Sequence, residues 1–206
     1  MAWAKNGTPD TLTGASATTT ISDLTQVKFN STLVHTIPTT SGAGNNRLRF
    51  GYGSVDTGSN YASRESNDGG TEYARVSQTN IICQTRNHEF FHVIYAINIA
   101  AEEKLIIGHS CEGYTLGAGT APSRVEYVAK WVNTSNQYDN VQMYTTSSTL
   151  AADTNISALG SDITPAAAIP AIDNVQDNSL FIEPSTARRY WFDEALAPTF
   201  EDDFDY

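Results

Sequence analysis

The sequence predicts an all-β protein, an antiparallel β-sandwich or jelly roll with a C-terminal linker and β-hairpin arm. Three observations carry this. Apolar residues recur with a period of two, and no segment sustains a helical apolar stripe. Turn-forming residues punctuate the chain at intervals suited to about eight to ten short strands. Ser and Thr make up roughly a fifth of the 206 residues, while charged residues are only 17%, a polar surface of hydroxyls that suits exposed strands.

Taken in order, Val27 to Ile37 alternates, its odd positions reading Val27, Phe29, Ser31, Leu33, His35 and Ile37, the pattern of a half-buried strand closed by Pro38. Thr39 to Asn46, rich in Ser, Gly and Asn, reads as a loop. Arg47 to Tyr52 alternates again and puts Leu48, Phe50 and Tyr52 on one face. Tyr61 to Arg64 and Tyr73 to Val76 flank Asn67-Asp68-Gly69-Gly70, a hairpin signal because Asp-Gly and Gly-Gly tolerate positive φ. Glu89 to Ala101 is the longest apolar stretch and belongs in the middle of a sheet. Its Phe91, Tyr95 and Ile97 are expected inside, with Tyr127 and Trp131 of the alternating run Val125 to Val132. Glu102-Glu103 turns the chain into Lys104 to Cys111, and after the run 125–132 the turn Asn133 to Asn136 leads to a partner around Val141 to Tyr144. Short helical turns are the most that Thr149 to Leu159 offers.

The composition then changes, and the chain divides into a sandwich over residues 1–160 and an arm over 161–206. Ser161 to Pro170, with Pro165 and three successive alanines, reads as an extended linker. Asn178 to Pro184 and Arg188 to Asp193 read as two strands joined through Pro184 to Ala187, followed by the acidic tail Glu201 to Tyr206. A lone hairpin is marginal in water. Its aromatic surface is therefore expected to dock on a neighbouring subunit, with Phe181, Tyr190, Trp191 and Phe192 as anchors and Arg188 and Arg189 at the rim.

Net charge −11 argues against a surface that tracks DNA or RNA, and no apolar window is long enough to span a membrane. The N-terminus lacks the apolar core of a secretory signal, so synthesis in a cytoplasm is expected. Cys83 and Cys111 are too few for a disulfide framework and read as free thiols.

Chemistry leaves few marks. His88 and His92 are four apart, but on a strand that places them about 13 Å apart, too far to share an ion; His35 and His109 stand alone. Cys111 follows His109 by two without the separate segments of a Cys–His pair. Glu103, Glu112 and Glu126 are the carboxylates available to a β-sandwich hydrolase. The loop aspartates Asp56, Asp68, Asp139 and Asp153 sit among Asn and Ser but show no Ca²⁺-loop pattern, and read as turn residues. Tyr52, Tyr61, Tyr73 and Tyr114 lie near loops, where a carbohydrate-binding module would place a sugar platform. No catalytic residue, cofactor or metal site is assigned.

Two stretches carry a resemblance. The C-terminal run from Ile169-Pro170-Ala171 through Asp177-Asn178-Ser179-Leu180-Phe181-Ile182-Glu183-Pro184-Ser185-Thr186-Ala187-Arg188-Arg189-Tyr190-Trp191-Phe192-Asp193 resembles a hairpin of structural proteins of tailed, often marine, bacteriophages. Glu102 to Leu105, Gly117 to Arg124 and Lys130 to Val132 look like proteins of the same viral setting. The resemblance implies a non-enzymatic virion protein, a capsid decoration or cement protein. The partners it implies are further copies of the chain, a trimer first, and the major capsid protein. A tail or fibre component that binds a host receptor is the alternative.

Overall fold

The computed structural model describes residues 3–113, 117–163, 179–183, 188–192 and 199–200. It is all-β, and no helix occurs among the described residues. The strands are β1 (Ala4–Thr11), β2 (Thr18–Ile21), β3 (Val27–Thr36), β4 (Gly42–Tyr52), β5 (Ser54–Val55), β6 (Tyr61–Asn67), β7 (Glu72–Gln78), β8 (Ile81–Asn87) and β9 (Phe90–Ile97). They continue with β10 (Lys104–Glu112), β11 (Ser123–Trp131), β12 (Asn140–Thr145) and β13 (Asn155–Ile163). Then come β14 (Ser179–Glu183), β15 (Arg188–Phe192) and β16 (Thr199–Phe200).

Two antiparallel sheets form the first compact unit, Met1–Thr164, in the manner of a β-sandwich. The larger runs β1-β13-β3-β9-β10-β11-β6-β7; the smaller runs β2-β12-β4-β5, with β8 also on β4. Four pairs nest along the chain: β1 with β13, β2 with β12, β3 with β9 and β4 with β8. The segments between these nested strands supply β6, β7, β10 and β11, which extend the larger sheet. The expected pairing of the run 125–132 with 141–144 is therefore corrected. β11 lies between β10 and β6, and β12 crosses to the other sheet between β2 and β4.

Both sheets feed one core. Val34, Ile94, Ile106, Tyr127, Trp131 and Ile156 of the larger sheet meet Ile21, Leu48, Phe50, Ile81, Val141 and Met143 of the smaller. Tyr127 and Trp131 face inward as their alternation predicts, but Phe91 and Tyr95 point outward at 44% and 49% exposure, and Ile97 is only half-buried. Phe90, His92, Ile94, Ala96 and Asn98 take the inside. The reason lies in satisfied polar atoms. Asn98 donates to the Tyr138 carbonyl at 3.0 Å and accepts from the Tyr138 amide at 2.8 Å. His92 Nδ1 lies 2.7 Å from Ser110 Oγ, and its Nε2 lies 3.3 Å from Thr36 Oγ1. The Ser110 hydroxyl is donated to the Cys83 carbonyl, so the network assigns the proton to Nδ1 and makes Nε2 the acceptor. Strand β3 does the same, burying Asn30, Thr32, Val34 and Thr36 while Phe29, Leu33 and His35 stay half-exposed.

Local chemistry holds the turns. Asp68 and Gly69, at φ 50° and 70°, make the β6–β7 turn that Asp-Gly favours. Gly108 lies under the Tyr127 ring, where an added Cβ would come within 2.0 Å of Cζ, so no side chain fits there. Lys104 is buried and its ammonium donates to the carbonyls of Ala100, Glu102 and Asn133, closing the β9–β10 turn; desolvation lowers its pKa.

The segment expected to hold helical turns contains the start of β13 instead. That strand runs to Ile163, pairing Ser161 with Phe29 and Ile163 with Val27. Residues 161–163 of the expected linker are thus strand, and the second unit is Pro165–Tyr206. In it β14 pairs with β15, Phe181 opposite Tyr190 and Leu180 opposite Trp191, and β16 adds to β15. The joining residues 184–187, the rest of the expected linker and the tail 201–206 lie outside the described residues.

Candidate functional site

Two features of the first unit stand apart from ordinary folding. The first is the outward face of the larger sheet. Strict alternation along β10 buries Lys104, Ile106, Gly108 and Ser110 and turns Leu105, Ile107, His109 and Cys111 out. Register then aligns Leu159, Ser31, Tyr95, Ile107 and Val128 in one row across five strands. Phe91 sits opposite Cys111 on β10 and opposite His35 on β3. Leu105, Ile107 and Val128 are 55%, 54% and 51% exposed. With Phe91, Tyr95 and Leu159 these half-exposed side chains present on the order of 500 Å² of apolar surface, taking roughly 150–250 Å² for a large side chain. Half-buried Phe29, Leu33, Val93 and Ile97 continue the band. Polar groups around it pair locally: Lys130 with Glu103 at 2.7 Å and Arg124 with Glu126 at 3.6 Å as ion pairs, and His35 hydrogen-bonded to Glu89 at 2.8 Å.

The second feature is a cleft of about 310 Å³ at the end of β10, lined by Arg86, Glu112, Gly113, Thr120, Ala121, Pro122 and Ser123. A smaller hollow beside it shares Arg86, Glu112 and Ser123 and adds Asn67, Asp68, Gln84 and Arg124. Glu112 is the last inward residue of β10, and its side chain is 2% exposed. Its Oε1 hydrogen-bonds His88 Nδ1, whose ring runs parallel to that of Phe90. Its Oε2 is buried without a hydrogen-bond partner, with Arg86 Nη1 at 4.0 Å.

The remaining candidates disperse. His92 is buried, and burial pushes its pKa down to about 3, so it is neutral. Among the described residues no three His, Cys, Asp or Glu side chains converge as metal ligands. Cys83 faces the core, where burial pushes its thiol up to about 12, and Cys111 faces outward; both are free. Glu103 and Glu126 lie in ion pairs on the outward face, away from Glu112. Asp56 accepts from Trp131 Nε1, Asn60 Nδ2 and the Gly58 amide, and these bonds hold its pKa low against the opposing effect of burial. Asp68 accepts from the Arg124 amide and Asp139 from the Gly53 amide, and Asp153 takes positive φ in a turn.

The sugar platform is corrected. Tyr61 is 1% exposed, its hydroxyl donating to backbone carbonyls of Phe50 and Asp56. Tyr52 and Tyr73 are exposed but belong to different sheets, and Tyr114 lies outside the described residues. Tyr52 also leaves the inward face that Leu48 and Phe50 share. Phe181, Arg188, Arg189, Tyr190, Trp191 and Phe192 all fall on β14 or β15. Sequence reasoning missed the apolar outward face, although Leu105-Ile106-Ile107 showed that both sides of β10 are apolar. It also missed the pairing of His88 with Glu112, for which a separation of 24 positions leaves no local signal. Comparison with protein-family models, curated proteins and solved structures finds no match.

Proposed function

We propose that the protein is a non-enzymatic structural subunit that associates with copies of itself through the outward face of the larger sheet. The observation that carries this is the apolar row Leu159, Tyr95, Ile107 and Val128 on a surface that an isolated subunit would leave in water. Its size lies near the upper end of the roughly 300–600 Å² found as the largest patch on monomers. With the half-buried neighbours and paired rim it approaches the roughly 800 Å² per side of a standard interface. A second copy fits because the face is close to electrically neutral. Of the chain's −11, residues 165–206 hold −7, with nine acidic and two basic side chains, so like faces can meet without strong repulsion.

The nested pairing of first strand with last, second with next to last and inward from there supports reading the sandwich as a jelly roll, with β14 and β15 as an arm. Jelly rolls build viral shells and lectins alike, so the fold narrows the role without assigning it. The resemblance to tailed-phage hairpins favours a capsid decoration or cement protein, trimeric in the first instance and seated on the major capsid protein. A tail or fibre component that binds a host receptor is the second reading, favoured by the polar cleft at Glu112.

Sedimentation equilibrium tests the association. The wild type is expected to run as an oligomer, and Ile107→Glu or Val128→Glu as a folded monomer with nearly the same melting temperature. A monomeric wild type, or oligomers that persist in both variants, refutes the interface. Mass spectrometry of phage particles that encode the chain tests the virion role, which fails if the chain is absent from them.

A further inference from the structure

We infer that the cleft at the end of β10 is a binding site for a neutral polyhydroxylated ligand, one sugar unit of a glycan, with Glu112 and Arg86 as its polar contacts. The inference does not rest on the assembly reading, because Glu112 is an inward residue of β10 and none of the residues that line the cleft belongs to the outward apolar band.

The starting point is the buried oxygen. Glu112 Oε2 is sealed from solvent and accepts no hydrogen bond, a state that costs stability unless a donor completes it. His88 fixes the carboxylate from the other oxygen, so the free lone pairs cannot turn away. The carboxylate is thereby oriented before any ligand arrives, which lowers the ordering cost of binding.

The surroundings select the class. Arg86 and Glu112 line both hollows, and Arg124 and Asp68 join them in the smaller one, so each hollow sets positive groups against as many negative ones. A cation in the cleft would face the Arg86 guanidinium and an anion the Glu112 carboxylate. A ligand whose groups both donate and accept suits the mixture. Sugar hydroxyls do this, donating a hydrogen bond to the carboxylate and accepting one from the guanidinium or from the Ser123 or Thr120 hydroxyl. Ala121 and Pro122 add apolar surface against which the C–H face of a ring can lie. About 310 Å³ sits at the small end of small-molecule sites, roughly 300–1,000 Å³, and suits one ring rather than an extended chain.

Saturation-transfer-difference NMR on the full chain tests this, using the methyl glycosides of glucose, galactose, mannose, N-acetylglucosamine and rhamnose as probes. At least one is expected to bind with a dissociation constant in the millimolar range. Glu112→Gln and Arg86→Met should each weaken it about tenfold, and Ile107→Glu should leave it unchanged. Arg86 is 59% exposed in its side chain, so Arg86→Met keeps the test valid if Glu112→Gln fails to fold. The proposal is overturned by no saturation transfer to any glycoside at about 50 mM, or by binding that both variants leave intact. It is equally overturned if calcium chloride or methylguanidinium binds in a Glu112-dependent way while no glycoside does.

Discussion

The two outward faces of the sandwich share one strand geometry and differ in what they present to water. On the smaller sheet the outward rows are Thr18, Tyr144 and Arg47, and Thr20, Gln142 and Arg49. These groups bond one another. Gln142 donates to Thr20 at 3.2 Å, and the Arg49 guanidinium lies 4.4 Å from the Tyr144 ring centre while its Nε donates to the Thr79 carbonyl. On the larger sheet the outward rows carry Leu159, Tyr95, Ile107 and Val128, and Phe91 beside Cys111. That difference is not a composition effect spread over the molecule, because it follows one sheet. Strands β3 and β9 even turn their more apolar side outward and bury Asn30, Thr32, Thr36 and His92, with Asn98 buried just past the end of β9. An exposed apolar face beside buried polar groups is the arrangement that the proposed self-association would account for.

The sharpest way to break the comparison lies in two adjacent phenylalanines. Phe90 is 1% exposed and Phe91 is 44% exposed, on opposite faces of the same strand. Phe90→Ala is expected to cost about 3–5 kcal/mol of unfolding free energy, and Phe91→Ala less than about 1 kcal/mol when measured on the monomeric Ile107→Glu background. Urea titration of both decides it. Equal losses would mean that the outward face is closed by the subunit's own packing.

These neighbours also show what the sequence holds and what it withholds. Alternation in 89–99 tells that two faces differ; it does not tell which one is inside. Summed hydrophobicity favoured Phe91, Tyr95 and Ile97, and long-range partners decided otherwise. His92 is accommodated by Thr36, 56 positions away, and Asn98 by Tyr138, 40 positions away. Where the signal is local the reading succeeds. Asp68-Gly69 makes the β6–β7 turn, and Tyr127 and Trp131 fill the core. Nested pairs such as β2 with β12 have no local signature, so Val141 to Tyr144 was assigned to the wrong neighbour. The cleft stayed hidden for the same reason, since Glu112 and His88 meet only when β10 and the end of β8 are in place.

A second prediction concerns a polar group that the larger sheet turns inward. His92 has a folded pKa near 3, from desolvation first and the nearby His35 second, against an unfolded value of 6.5. Above about pH 6.5 both states are neutral and the shift has no effect. As pH falls below it, the unfolded state takes up a proton that the folded state refuses, and stability declines by about 1.4 kcal/mol per unit. The difference in unfolding free energy between wild type and His92→Asn should therefore move by about 2 kcal/mol, against the wild type, between pH 7 and pH 5. A pH-independent difference would show that His92 carries its proton inside the fold.

The smallest effect belongs to the polar outward face, and its smallness is the point. Gln142 and Thr20 sit directly opposite one another on β12 and β2, half-exposed, and share a hydrogen bond of 3.2 Å. Cross-strand pairs of this kind contribute roughly 0.2–1 kcal/mol, and solvent competes for both partners once either is truncated. Thr20→Ala, Gln142→Ala and the double variant should each lie within about 0.5 kcal/mol of the wild type, with a coupling energy of a few tenths at most. None should change the sedimentation behaviour, because this face has no apolar row to cover. The contrast with Ile107→Glu is then complete: one substitution on the larger sheet alters association without altering the fold, and two on the smaller sheet alter neither. If Gln142→Ala dissociates the oligomer, the smaller sheet is the interface, and the apolar band on the larger one needs another partner.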